Sequence, residues 1–287
     1  MKNEHFVSDM ALESAQSVGF DGAVLSKELG LGIVKRTLTI KNIEQEKRVG
    51  RKIGIYTTYD CTKGLHTSKN ATKYMSGLLS QSLLELVGTL KKSATILVVG
   101  LGNGKIVADS LGERVVSRIN VSMQGHSNMQ NRRICAISPG VLGTTGMQTA
   151  DIICGVASKI KPNVVVLVDS LATGTLSRVG KSFQISNVGI SPGSGVGQDK
   201  ERIDKHILGV PTFSIGVPLL LSLRTGIYAF VKELLSEQNV SVSEFALREK
   251  LSDTNLTDLI VAPRNIDYLV SVCADVVARA INDAFSV

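Results

Sequence analysis

Residues 95–112 read TILVVGLGNGKIVADSLG, and they decide the fold. Ile96-Leu97-Val98-Val99 is a continuous apolar run, the kind that forms a strand buried on both faces of a parallel sheet. Glycines at 100, 102 and 104 break the run. Asp109 follows, at the start of a helical pattern formed by Leu111, Val115, Val116 and Ile119. Strand, glycine turn and helix in that order set Asp109 near the carboxyl edge of a sheet, where open α/β folds keep their sites. A second stretch does the same: Val164-Val165-Val166-Leu167-Val168 runs directly into Asp169. The expectation is that these two aspartates meet.

Working outward, strands and helices alternate on both sides of this centre. Ser68–Lys92 carries Tyr74, Leu78, Leu79, Leu83, Leu86, Val87 and Leu90 at helical spacing, with Gly77 and Gly88 as interruptions. Arg133–Ile137 reads as a short strand. Thr149 reads as the N-cap of a helix through Ile160 that Pro162 ends. Ser182–Ser186 and Thr212–Val217 read as further strands, with a glycine-rich turn at Gly189–Gly197 between them. Two helices, Leu220–Glu237 and Asp267–Phe285, close the chain. Before residue 95, Gly32–Ile40 and Lys52–Tyr59 read as strands in antiparallel pairing, joined by the charged segment Lys41–Gly50. The pattern predicts an α/β fold: a three-layer sandwich on a mostly parallel central sheet, with an N-terminal β-rich elaboration and a single domain over residues 8–287.

Composition agrees with a packed core. The chain has 287 residues, 43% of them hydrophobic, and no Trp, so the core is built from Val, Ile and Leu. A net charge of +7 is modest for this length, and no run of Lys or Arg is dense enough to mark a nucleic-acid site, so no direct nucleic-acid binding is expected. The cysteines at 61, 135, 154 and 273 form no C-x-x-C pair and read as reduced, which points to the cytoplasm. Met1–Glu13 lacks the apolar core of a signal sequence, and the apolar run near Ile215–Leu223 is too short to span a bilayer.

Several motifs fail on chemistry. Gly100-Leu101-Gly102-Asn103-Gly104-Lys105 invites a nucleotide, but Lys105 stands where a dinucleotide fingerprint needs its third glycine. A P-loop needs Ser or Thr after the lysine, and Ile106 is there. Gly189-Ile190-Ser191-Pro192-Gly193 matches G-x-S-x-G by letter. However, a nucleophile elbow uses the N–H after its serine as an oxyanion donor, and Pro192 has none. Histidines 5, 66, 126 and 206 show no metal-ligand spacing, so no metal and no cofactor is expected. Asp109 alone suits a helix N-cap, and Asp169 alone suits a turn. As a pair in one cleft they suit acid/base hydrolysis. Like-charge repulsion separates the two pKa values, so one carboxylate takes a proton from water while the other carboxyl donates to a carbonyl oxygen.

Motifs in order along the chain carry a further reading. These are Ser8-Asp9-Met10-Ala11-Leu12-Glu13, Gly54-Ile55-Tyr56-Thr57-Thr58, Val98–Asn103, Ala136–Gly143, Val168-Asp169-Ser170-Leu171-Ala172, Ser191–Gly197, Leu208–Pro211 and Ile215–Pro218. Together they resemble the germination proteases of spore-forming bacteria. The resemblance implies an endopeptidase that degrades small acid-soluble spore proteins in the cytoplasm of the spore. It also implies a fold related to the hydrogenase-maturation peptidases, synthesis as a zymogen, a homotetramer, and catalytic roles for Asp109 and Asp169. It places a pro-segment at residues 1–7. Around the first acid the family's Thr-Pro-Asp-Ala-Leu-Gly-Pro becomes Val107-Ala108-Asp109-Ser110-Leu111-Gly112-Glu113, and Ser170 stands where the family has alanine. Two other readings share the fold: a metal-dependent maturation peptidase, and a non-catalytic protein whose glycine turns hold an anion.

Overall fold

The structure, a computed structural model, describes residues 8–20, 24–65, 69–122, 132–191, 202–237, 247, 250 and 259–286. The chain begins with α1 (Ala11–Ser17), β1 (Val24–Glu28), β2 (Ile33–Ile40), α2 (Ile43–Val49), β3 (Gly54–Cys61) and α3 (Lys69–Val87). It continues with β4 (Thr95–Gly100), α4 (Leu111–Val116), β5 (Arg133–Ile137), α5 (Leu142–Thr145), α6 (Thr149–Ile160), β6 (Val164–Thr173) and β7 (Ser182–Ser186). It closes with α7 (Lys205–Leu208), β8 (Thr212–Ser222), α8 (Leu223–Glu237), β9 (Ile260–Val261) and α9 (Ile266–Phe285). The strands form one sheet in the order β1-β2-β3-β7-β8-β6-β4-β5, with β9 added beside the end of β8. Strands β8, β6, β4 and β5 are mutually parallel, and β1, β2, β3 and β7 are antiparallel to their neighbours. The predicted mostly parallel centre with an antiparallel N-terminal elaboration is therefore the observed sheet.

Strand alternation divides the core between the two faces of this sheet. Val164, Val166 and Val168 of β6 pack with Ile96 and Val98 of β4 against α3, α4 and α9. Val165 and Leu167 pack with Leu97 and Val99 against Ile153 and Ala157 of α6. On the same side as α6, α1 covers the antiparallel half through Ala11 and Ala15 on Leu38, Ile40 and Tyr56. Strands β4 and β6 are apolar on both faces because both faces are covered, which is why their sequences do not alternate.

Several boundaries differ from the sequence expectation. Lys41–Gly50 is not a plain connection but holds α2, capped by the Asn42 side chain, which accepts from Gln45 N–H at 2.9 Å, and ended by Gly50 at φ 70°. Helix α3 passes through Gly77 and stops at Gly88, whose φ is 73°. Thr149 does not cap α6: Gln148 occupies the cap position, and the Thr149 hydroxyl donates to Gly140 C=O at 3.1 Å. Strand β8 runs to Ser222 because Leu221 and Ser222 pair with β9, so the helix predicted from Leu220 begins at Leu223. All four cysteines are free thiols, with Cys61 and Cys273 buried. Burial pushes the Cys273 thiol up to about 12. Among the described residues no helix is long and apolar enough to cross a membrane. The expected pro-segment at 1–7, most of the glycine-rich turn at 189–197, and His5, His66 and His126 lie outside the described residues.

Candidate functional site

The site is built where β4 ends and β6 continues past it. Their parallel register pairs Gly100 with Val168, and Leu101 N–H donates to Val168 C=O at 2.8 Å. Asp169 is the next residue of β6. It does not terminate its strand, as the sequence suggested, because β6 continues to Thr173 against β8. A carboxylate thus sits inside a rigid strand, 5% exposed, where strand alternation turns it to the α6 side. The Ser170 amide donates to its Oδ1 at 2.9 Å.

Asp109 arrives by a different route. After Gly100 the chain makes a loop, enters a single 3₁₀ turn at Val107–Asp109, and returns to the strand end before α4 begins. Glycines make this return possible. A Cβ on Gly100 would lie 2.1 Å from Gly112 C=O, and one on Gly102 would lie 2.2 Å from Asp109 C=O. Gly102 also holds φ at 105°, a conformation that side-chain-bearing residues rarely adopt. Gly100 and Gly102 therefore serve close backbone approach. Asp109 is not the cap of α4, since Ser110 holds that position. Its Oδ2 accepts instead from Asn103 N–H at 2.7 Å, which closes the loop on itself. The 3₁₀ turn packs against α9, β6 and β8, in the layer opposite α6. The structure thus packs the turn that carries Asp109 against β6, the strand that carries Asp169, in the layer opposite the face on which Asp169 lies.

Asp169 opens on a polar cleft of about 390 Å³. Its described lining includes Asp9, Arg51, Tyr56, Gln184 and Arg202, but not Asp109. Two arginines face the buried Tyr56 hydroxyl, which donates to Lys52 C=O at 2.9 Å. Burial raises the Tyr56 pKa, against the pull of Arg202 and Arg51.

The pair-based reading missed the N-terminal segment. Asp9 exchanges bonds with the end of β6: its N–H donates to Ala172 C=O at 2.9 Å, and its Oδ2 accepts from Ala172 N–H at 2.8 Å. Ala11 N–H donates to Gln184 Oε1 at 2.7 Å. Glu13 is gripped by Thr173 Oγ1 at 2.6 Å, Gly174 N–H at 2.9 Å and Arg178 Nη1 at 2.7 Å. Burial pushes its carboxyl up, but Arg178 and these hydrogen bonds hold it, on balance, below the ordinary glutamate value. Arg178 also reaches Asp60 at 3.5 Å, and Asp60 pairs with Arg36. The signal was present in the sequence, because Ser8–Glu13 is one of the ordered motifs, but no local pattern assigns those two acids to the end of β6.

Comparison with known proteins places this geometry. A family model described as germination protease matches residues 3–236. A germination protease from Caldanaerobacter subterraneus subsp. tengcongensis is 36% identical, over 96% of this chain and 92% of the relative. One from Clostridium perfringens is 33% identical, over 96% of this chain and 94% of the relative. Among solved structures, an NiFe hydrogenase maturation protease, HycI, from Thermococcus kodakarensis KOD1 aligns with a TM-score of 0.33 at 17% identity, over 68% of this chain and 98% of that one. The family model and the relatives span nearly the whole chain, the two strand ends and the N-terminal segment included: this protein belongs to the germination protease family and is a peptidase.

Proposed function

We propose that this chain is the endopeptidase that degrades small acid-soluble spore proteins at germination, by acid/base hydrolysis with Asp109 and Asp169. The observation that carries the reading is that the turn carrying Asp109, reached from the end of β4, packs against β6, the adjacent parallel strand that carries Asp169, with an open cleft on Asp169. In this reading one carboxylate is ionised and takes a proton from the attacking water. The other stays protonated and donates to the carbonyl oxygen of the scissile peptide. The buried strand position of Asp169 suits such a task, because a carboxylate held in low dielectric interacts strongly with a neighbouring acid. The cleft also suits a peptide. Segment 8–13 uses the end of β6 as a polar dock: Asp9 N–H donates to Ala172 C=O, and the Asp9 carboxylate accepts from Ala172 N–H, groups that a peptide can also use.

The same reading includes synthesis as a zymogen with residues 1–7 as the pro-segment, assembly as a homotetramer, and action in the spore cytoplasm. It is tested by cleavage of a purified small acid-soluble spore protein. The full-length chain and a chain starting at Ser8 are each compared with their Asp169→Asn counterparts. Cleavage by the shorter chain, abolished by the substitution, is the expected result. Equal cleavage by the Asn variant sinks the carboxylate mechanism, and absence of cleavage by both folded forms sinks the substrate assignment.

A further inference from the structure

Strand alternation gives Asp169 and Ser170 opposite faces of β6. Asp169 faces the side of Val165 and Leu167, and Ser170 the side of Val164, Val166 and Val168. On that second side lies the turn that carries Asp109: the 3₁₀ segment Val107–Asp109 packs on β6 and β8, and Gly112 at the start of α4 abuts Gly100, which pairs with Val168. Ser170 is 7% exposed, and its Oγ has no hydrogen-bond partner among the described residues. A buried hydroxyl without a partner is unfavourable and uncommon in native proteins, so it calls for an explanation. The neighbouring serine, Ser110, shows the contrast: its Oγ donates to Val107 C=O at 2.7 Å and accepts from Arg114 Nε at 3.1 Å. The Ser170 amide meanwhile donates to Asp169 Oδ1 at 2.9 Å. One residue thus holds one acid through its backbone and presents a bare hydroxyl toward the layer that carries the other.

We propose that Ser170 is a positioning residue for the acid pair, its amide bracing Asp169 and its hydroxyl holding, through a bound water, the turn that carries Asp109. A hydroxyl suits this task because it donates and accepts at once, so a water on Oγ links β6 to the 3₁₀ turn without a charge. The link couples the two strand ends, so that the acids keep one relative position during turnover. The inference rests on the carboxylate-pair reading above.

The test is steady-state kinetics on a purified small acid-soluble spore protein, with thermal melting alongside, for Ser170→Ala and Ser170→Thr. Ser170→Ala installs the alanine the family carries here, in a chain whose Asp109 turn also departs from the family's at Val107, Ala108 and Ser110. It is expected to lower kcat about tenfold, less than the roughly 100-fold that a full 1 Å misplacement costs. KM and the melting temperature are expected to stay at wild-type values, and Ser170→Thr, which keeps the hydroxyl, to recover most of kcat. An unchanged kcat in Ser170→Ala overturns the proposal. So does a kcat loss that tracks a fall in melting temperature, since that marks the hydroxyl as structural. Asp109→Asn and Asp169→Asn assayed in parallel separate the two ideas. If they stay active, the carboxylate-pair reading falls and this inference falls with it; if they are inactive while Ser170→Ala is normal, only this inference falls.

Discussion

The parallel and antiparallel halves of the sheet divide the work. Strands β4 and β6 are buried on both faces, and each leads to one acid. The antiparallel half ends in β1, whose residues from Leu25 to Glu28 are exposed, and it carries polar ties instead: Arg36 to Asp60, Asp60 to Ser182, and Arg178 to both Asp60 and Glu13. The difference teaches where precision is needed. In the function proposed above, one proton-exchanging group, Asp169, is mounted within a strand that cannot shift without breaking two core layers, and the other, Asp109, on a turn packed against that strand. The segment that borders the cleft is mounted on one backbone bond, from Asp9 N–H to Ala172 C=O, and otherwise on side-chain bonds, which are reversible one at a time.

The sharpest way to break this comparison is at the acids. Asp169→Asn and Asp109→Asn are each expected to reduce kcat/KM at least about 1,000-fold, which corresponds to roughly 4 kcal/mol of transition-state stabilisation. The same variants should melt close to wild type, because the side chains keep their shape. An Asn variant with near-normal turnover would place the chemistry outside the parallel half. Next in size is Glu13→Gln, which takes from the buried Arg178 the nearer of its two counter-charges, leaving Asp60 at 3.5 Å, and is expected to cost about 3 kcal/mol in chemical denaturation. Its pH dependence has a definite sign. The folded carboxyl is held below the ordinary value of 4.5, so its contribution is complete above that value and is lost as pH falls through the lower folded pKa. Glu13→Gln should therefore flatten the acid limb of the wild-type stability curve; an unchanged limb would mean that the antiparallel half draws nothing from this tie.

Gly102→Ala tests the loop within the parallel half, between β4 and the turn that carries Asp109. Its Cβ would lie 2.9 Å from Asp109 Oδ1, at a positive φ of 105°. A loss of about 2 kcal/mol is expected from melting curves, with activity falling further than stability does because Asp109 is displaced. Least is expected from Arg114→Ala. Arg114 meets Asp267 at 2.5 Å, but that carboxylate is 74% exposed, so the pair contributes less than about 1 kcal/mol. A larger loss in a denaturant titration would show that the layer carrying Asp109 depends on its surface as well as on its core.

Much of this was legible in the order of residues. Ile96–Val99 and Val164–Val168 announce buried parallel strands because no alternating face is left for water. The two acids were legible because each follows such a run. The reach of β6 past Asp169 was not, because the bonds that keep Ser170–Thr173 extended come from β8, a strand distant in sequence. Helix α2 was hidden for a related reason. Its charged face suits a solvated connection equally well, and Val49, which it buries, has meaning only once α1 and β2 are beside it.

The sequence alone determined the α/β class and the central strands, and singled out Asp109 and Asp169 as candidates. These follow from hydrophobic period, chain-local sterics and the ordered motifs, all of which act over a few residues. Tertiary structure alone decided that the turn carrying Asp109 packs against the strand carrying Asp169, that Asp9 and Glu13 lock onto the end of β6, and that Ser170 presents a buried hydroxyl with no partner among the described residues toward the Asp109 layer. Each of these is a relation between segments brought together by burial of a shared core, and the pattern of any one segment does not encode it.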